Sequence, residues 1–247
     1  MIARQKMADH SALIKEIFSK NGLSKLLDAP KIEKLNILIE NMLKVNASMN
    51  LTSITDPDEI ILKHIADSAT ISQYIPQNAR MLDVGTGAGF PALPIAILRP
   101  DVSVYALDST AKKLRYIDDT AVLLGLDNVK TVSGRAEEHG RTVNYRERFD
   151  VVTARAVAGL NVLTELCLPF VKLGGKFVSM KGSNAPEEIN LAKSGVIQLG
   201  GSKFESNYLE LTYGENVHQR YIVVSNKVKN TPDSFPRAYS RISKKPL

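Results

Sequence analysis

The sequence predicts an α/β fold: a seven-stranded, mostly parallel sheet closed by an antiparallel hairpin and preceded by a helical extension. Three observations predict it. The first eighty residues carry apolar side chains at helical spacing. From Arg80 onward short apolar runs alternate with helical stretches, and a glycine-rich turn lies where the first of those runs gives way to a helix.

The chain has 247 residues, 44% of them hydrophobic and 23% charged, with 15 glycines, which excludes fibrous, collagen-like and wholly disordered classes. A helix is expected where Ile32, Leu35, Leu38, Ile39, Met42 and Leu43 recur at three-and-four spacing, with Asp28 and Pro30 marking its start. A shorter stripe (Leu13, Ile14, Ile17, Phe18) stops near Asn21-Gly22. A later one (Ile60, Ile61, Ile65, Ala69, Ile71) follows Asp56-Pro57.

Strands are then expected at Met81–Val84, Val102–Leu107, Val129–Val132, Phe149–Thr153 and Lys176–Met180. Helices are expected between them at Pro91–Leu98, Ala111–Leu124 and Leu160–Phe170. Two further runs, Phe204–Thr212 and Tyr221–Val224, flank Gly214-Glu215-Asn216 and read as the closing hairpin. The expected units are therefore residues 1–78, a helical extension; 79–226, a ligand-binding α/β domain; and 227–247, a tail.

Charge is concentrated in that tail. The whole chain carries a formal +6, and residues 227–247 hold six basic residues (Lys227, Lys229, Arg237, Arg241, Lys244, Lys245) against Asp233, leaving about +1 for the rest. A polyanionic partner is therefore sought at the tail, whose three prolines, Phe235 and Tyr239 favour a docked, extended strap over a solvated one. Arg220 and the amino-terminal helices are expected to help. The single cysteine, Cys167, lies among Leu163, Leu166, Leu168 and Phe170; it fits core packing and a reducing compartment, so a cytoplasmic protein is expected. A monomer is expected, with no residue pattern that fixes the oligomeric state. Arg4 and Lys6 are followed by Asp9 and His10 where a secretory signal would be apolar, and the densest apolar run, Phe90–Leu98, is far short of the ~20 residues of a membrane span. Neither export nor a membrane partner is expected. His10, His139 and His218 lack metal-ligand spacing, so no metal is expected.

Asp83-Val84-Gly85-Thr86-Gly87-Ala88-Gly89-Phe90 stands at a strand end, where sheets of this kind bind nucleotides. A dinucleotide fingerprint would place its last glycine at position 90, which is Phe90. Asp83 would repel phosphates yet attract an ammonium or sulfonium group, directly or through water. Asp108 ends the next strand, near the spacing at which an acid bonds ribose hydroxyls. NAD and S-adenosylmethionine share an adenosine; Asp83 and the tight glycine spacing favour the second.

These residues resemble the class I S-adenosylmethionine-dependent methyltransferases with their Rossmann-like sheet, and more narrowly the ribosomal RNA small subunit methyltransferase G family, also called GidB. The resemblance runs from about Asn50 to the C-terminus. It is carried by Asn50-Leu51-Thr52, His64-Ile65-Ala66-Asp67-Ser68, the Asp83–Ile97 segment, Leu107-Asp108-Ser109, Ala136-Glu137-Glu138, Ala154-Arg155-Ala156, Lys181-Gly182, Gln219-Arg220-Tyr221, Phe235-Pro236-Arg237 and Lys244-Lys245-Pro246-Leu247. It implies methyl transfer from S-adenosylmethionine to N7 of a guanine in 16S ribosomal RNA, free or within the small-subunit particle. It implies cofactor contacts from Gly85, Phe90, Ala136, Glu137 and Arg155, with Asp108 at the ribose. Two departures stand out: Ala92 replaces a usual glycine and is expected to tighten loop-helix packing, and Ser240-Arg241-Ile242-Ser243 replaces a usual Gly-x-Pro turn, leaving the tail's path open.

The catalytic residue is not fixed by the sequence; Arg155 is the candidate. Its guanidinium could bond guanine O6, anchor the methionine carboxylate, or form a structural ion pair. Lys181 could meet a phosphate or stand solvated, and His64 is expected to pair with Asp67 on one helix face.

Overall fold

The computed structural model describes residues 8–247; Arg4 and Lys6 lie outside the described residues. Helix α1 (Ser11–Lys20) ends at the left-handed Gly22, φ +71°. Helix α2 (Ala29–Met49) starts where expected: the Asp28 carboxylate accepts the Lys31 amide at 2.9 Å, and left-handed Asn50 ends it. Asp56 caps the third helical run in the same way. That run begins as α3 (Pro57–Ile60), widens to a π-helix over Ile61–Ala66, and returns through α4 (Asp67–Ala69) to a 3-10 turn at Thr70–Tyr74. The widened turn holds His64, which lines the cavity described below, and abuts Asp67, the buried partner of a cavity arginine.

The sheet follows: β1 (Arg80–Val84), α5 (Ala92–Leu98), β2 (Ser103–Asp108), α6 (Ala111–Leu124), β3 (Val129–Ser133), α7 (Ala136–His139), β4 (Phe149–Arg155), α8 (Leu160–Cys167), β5 (Val171–Lys181), α9 (Ala185–Gln198), β6 (Glu205–Tyr213) and β7 (Asn216–Asn226). Its order is β3-β2-β1-β4-β5-β7-β6, with β7 antiparallel to both neighbours and the remaining pairs parallel. The expected strands and hairpin are present: β2 and β6 keep their length and shift by one residue, β1, β3 and β4 gain one or two, and β5 and β7 are longer by six and seven. Strand β5 begins at Val171 rather than Lys176; Gly174 and Gly175 break its apolar run and hide its first half in the sequence, and Gly175 passes so close to β4 that a Cβ there would lie 2.7 Å from the Asp150 carbonyl.

Strand alternation splits the core into two layers. Met81, Val151, Val178 and Ile222 face the N-terminal helices with α5 and α6, whereas Leu82, Val152, Phe177 and Val223 face α8, α9 and the tail. The helices before residue 79 thus share one core with the sheet: Phe18, Leu38, Met42 and Ile65 are fully buried in the first layer.

Helix α9 is absent from the elements expected on sequence. Its buried face is made of Ala185, Ala192, Gly195 and Val196, while Leu191 and Ile197 are exposed, so no large-residue stripe betrays it.

The tail is integral. Lys227 is fully buried, with Nζ donating to the Leu168 carbonyl and Thr231 Oγ1, both at 2.6 Å, beside Glu147 at 3.2 Å; burial pushes its pKa down to about 8. Arg237 clasps the fully buried Glu165 of α8, and Phe235 and Ile242 complete the second core layer. The strap is extended only to Ala238; a short helix, α10 (Tyr239–Lys244), spans the departing Ser240–Ser243 segment.

Candidate active site

Four strand ends converge on a cavity of about 500 Å³. The turn after β1 supplies Gly85–Ala88 and Phe90, β2 supplies Asp108, the segment after β3 supplies Gly134–Glu137, and β4 supplies Arg155 with Ala156 and Val157. All six sequence-derived cofactor residues (Gly85, Phe90, Asp108, Ala136, Glu137, Arg155) line this one cavity.

The glycines have local reasons. Gly85 has φ +70°, and a Cβ there would sit 2.5 Å from Val157 Cγ2; Gly89 has φ +85° and would strike Leu93 at 2.6 Å. Gly87 has φ +59°, and a Cβ there would meet only the Gly85 carbonyl, at 3.9 Å, so its backbone is accessible to a ligand. The Asp108 carboxylate fixes this turn. Its Oδ2 accepts the Gly87 amide at 3.0 Å and its Oδ1 the Thr110 amide at 2.8 Å, and each oxygen retains a lone pair for hydroxyls on the cavity side. Ala92 is fully buried at the start of α5, with its amide beside Asp83.

Asp83 does not line the cavity. It lies beneath the loop, 1% exposed, where burial raises its pKa to about 6 against the opposing pull of Thr86, Arg155 and the Ala92 amide. Its Oδ2 has no hydrogen-bond partner among the described residues. Direct contact with a cationic ligand is thus not Asp83's part; it contributes a buried negative charge under the turn.

Arg155 is largely committed to protein partners. One terminal nitrogen donates to the Lys63 carbonyl (3.0 Å) and to Asp67 (3.2 Å), and the other to His64 Nδ1 (3.3 Å). Of the three roles open to it on sequence, the ion pair is present, and among the described residues the Nε–H and one terminal N–H have no partner. Asp67, fully buried, also accepts Arg220 in two-pronged fashion at 2.7 and 2.6 Å. Arg220 is therefore a partner of Asp67 and is removed from the set of RNA-contact candidates.

The expected His64–Asp67 pair does not form, because Asp67 turns to the two arginines. His64 stacks on Phe90 instead, centroids 4.9 Å apart, and the Arg155 guanidinium lies 5.4 Å from the Phe90 ring. Since Nδ1 accepts from Arg155, Nε2–H donates to Thr52 Oγ1 at 3.0 Å. Burial and Arg155 push the His64 pKa down to about 4, in keeping with that neutral tautomer.

Lys181 is neither solvated nor poised for a phosphate. Its Nζ donates to the Ala158 carbonyl and to Glu188, both at 2.7 Å, tying β5 to α9. Cys167 is fully buried and burial pushes its thiol pKa up, as expected for a packing residue. Sequence reasoning does not single out Lys113, Arg135, Val157, Leu166 or Tyr239 as cavity residues. Val157 and Leu166 have a signal in their placement after β4 and on α8; Tyr239, eighty-four positions from Arg155, has none.

The family model for rRNA small subunit methyltransferase G, GidB, matches residues 31–212. The chain belongs to the GidB family. It is 44% identical over 219 residues to ribosomal RNA small subunit methyltransferase G of Lactobacillus delbrueckii subsp. bulgaricus, covering 87% of this chain and 91% of that one. The protein of the same name from Desulfitobacterium hafniense is 40% identical over 241 residues, 98% and 99% of the two chains. Solved structures confirm the fold at low identity. A putative O-methyltransferase from Klebsiella pneumoniae superposes with a TM-score of 0.53 at 14% identity, covering 76% of this chain and 90% of that one. A SAM-dependent O-methyltransferase from Thermotoga maritima does so with 0.52 at 16%, covering 79% and 72%. The sheet is thus the class I methyltransferase sheet, and GidB membership rests on sequence.

Proposed function

We propose that this GidB-family protein transfers a methyl group from S-adenosylmethionine to N7 of a guanine in 16S ribosomal RNA. The observation that carries the reading is the convergence of Gly85, Phe90, Asp108, Ala136, Glu137 and Arg155 on one cavity at the strand ends, in a chain of this family. The cavity fits the cofactor: the Gly87 backbone is accessible to a ligand, and Asp108 keeps acceptor capacity beside it. When bound, the cofactor supplies an electrophilic methyl on a sulfonium.

Guanine N7 has an in-plane lone pair and carries no proton, so no base need act before attack. The chain's task is then alignment, which can supply ~7–11 kcal/mol when two reactants are held in attack geometry. Phe90 is held by the stacked His64 ring, with the Arg155 guanidinium hydrogen-bonded to that imidazole beside it, and gives the cavity a rigid wall. His64 has both ring nitrogens engaged, which supports a positioning role for it. Arg155 acts as a cofactor-side donor through its free N–H groups, and its charge complements Asp67 and Asp83.

RNA phosphates are met by the exposed Lys229, Arg241, Lys244 and Lys245 of the tail, joined by Arg135 and Lys113 at the cavity. Lys227 and Arg237 are spoken for by Glu147 and Glu165. No helix among the described residues is long and apolar enough to cross a membrane. A ribosomal RNA substrate supports a cytoplasmic location.

Incubation of the protein with methyl-labelled cofactor and small-subunit RNA, naked and as particles, tests the reading. Label should enter RNA; incorporation only into proteins or small molecules of an RNA-free extract would overturn it.

A further inference from the structure

Tyr239 is a wall of the cavity that comes from the far end of the chain. Its placement is fixed from both sides. Upstream, Arg141 Nε donates to the Pro236 carbonyl at 2.8 Å, Arg146 donates to the Phe235 carbonyl at 2.8 Å, and Arg237 donates its own amide to Glu165 of α8 at 2.7 Å. Downstream, Ile242 is fully buried in the second core layer with Leu163 and Leu166. The strap also packs on the end of α7: a Cβ on Gly140 would lie 3.2 Å from Pro236 Cγ. Tyr239 is thereby held on the α7 and α8 side of the cavity, whose lining there is Ala136, Glu137 and Leu166.

That corner has the chemistry of a slot for a flat heteroaromatic ring bearing an amino group. Ala136 and Leu166 offer apolar surface, Glu137 offers an acceptor, and Tyr239 is 43% exposed, so part of its surface is free to cover a ligand. We propose that Tyr239 supplies an aromatic face to the adenine ring of the cofactor, making the C-terminal strap part of the cofactor site. The proposal rests on the reading of the cavity as an S-adenosylmethionine site. Adenine is favoured over an RNA base because Ala136 and Glu137 of this corner follow β3, and Asp108, at the end of the paired strand β2, lines the same cavity with acceptor capacity for a ribose.

Calorimetric titration with S-adenosylhomocysteine and with 5′-methylthioadenosine, which share the adenine but differ at the amino-acid end, tests this. Stacking of a base on an aromatic side chain predicts that Tyr239→Ala weakens both ligands by a common factor, roughly tenfold. Tyr239→Leu, which keeps apolar bulk without the ring, should lose nearly as much, and Tyr239→Phe should stay within about twofold of wild type. Unchanged affinity in Tyr239→Ala, or weakening confined to S-adenosylhomocysteine, would overturn the proposal. So would unchanged affinity accompanied by a raised KM for RNA, which would assign the ring to the nucleic acid. A wild-type protein that binds neither ligand would instead overturn the cofactor reading beneath it.

Discussion

Asp67 holds two guanidinium groups with no exposure of its own, and Arg155 and Arg220 side chains are only 12% and 13% exposed. Removing its charge strands both cations in low dielectric, so Asp67→Asn should cost about 3–5 kcal/mol in urea unfolding. His64 beside it offers a titration. An unfolded His64 would protonate near pH 6.5, whereas the folded imidazole is held to about 4, so the unfolded state binds the extra proton between those values. The stability that neutral His64 contributes is present above pH 6.5 and lost as pH falls toward 4. Asp83 works in reverse: raised to about 6, it favours the folded state below its unfolded value of 3.8, and that contribution is lost as pH rises through 6. Comparison of wild type with His64→Gln isolates the first effect. Their difference in unfolding free energy should grow from pH 4 to 6.5, and the His64 proton resonance should titrate near 4. At Gly85, φ +70° and the 2.5 Å approach to Val157 predict that Gly85→Asp abolishes cofactor binding in calorimetry.

At the scale of elements, β1 to β4 and α6 are legible in the sequence because large apolar residues mark a period of two or 3.6 and polar or glycine residues mark the ends; α6 spans Ala111–Leu124 as expected. Helix α9 is not, since Ala and Gly form its buried face. The site is legible where one short segment contains it, as in Gly85–Phe90, and illegible where partners are distant in sequence, as for Asp67 with Arg155 and Arg220. His64–Asp67 shows the same limit: helical spacing puts them near each other, and stronger, remote donors decide the pairing. The strap is held by Arg237 on Glu165, which is wholly buried. Arg237→Ala should therefore cost about 2–3 kcal/mol, discounted for the arginine's partial exposure, and should raise protease sensitivity after Asn226.

Over the whole molecule, the +5 of the last twenty-one residues divides into a structural part and an exposed part. Lys227 is core, so truncation after Asn226, which from charge alone would spare cofactor binding, should instead destabilise the protein and impair both functions. The exposed part is separable. Replacing Arg241, Lys244 and Lys245 with Ala should lower the salt slope of RNA binding by about 2–3, with cofactor affinity unchanged, as read from binding isotherms at several salt concentrations. Transfer to guanine N7 is read directly at the nucleoside level. Small-subunit RNA from cells lacking this protein, treated with the enzyme and labelled S-adenosylmethionine and digested to nucleosides, should yield labelled 7-methylguanosine by mass spectrometry. Absence of that nucleoside from both naked RNA and particles, or label in another nucleoside, would contradict the account.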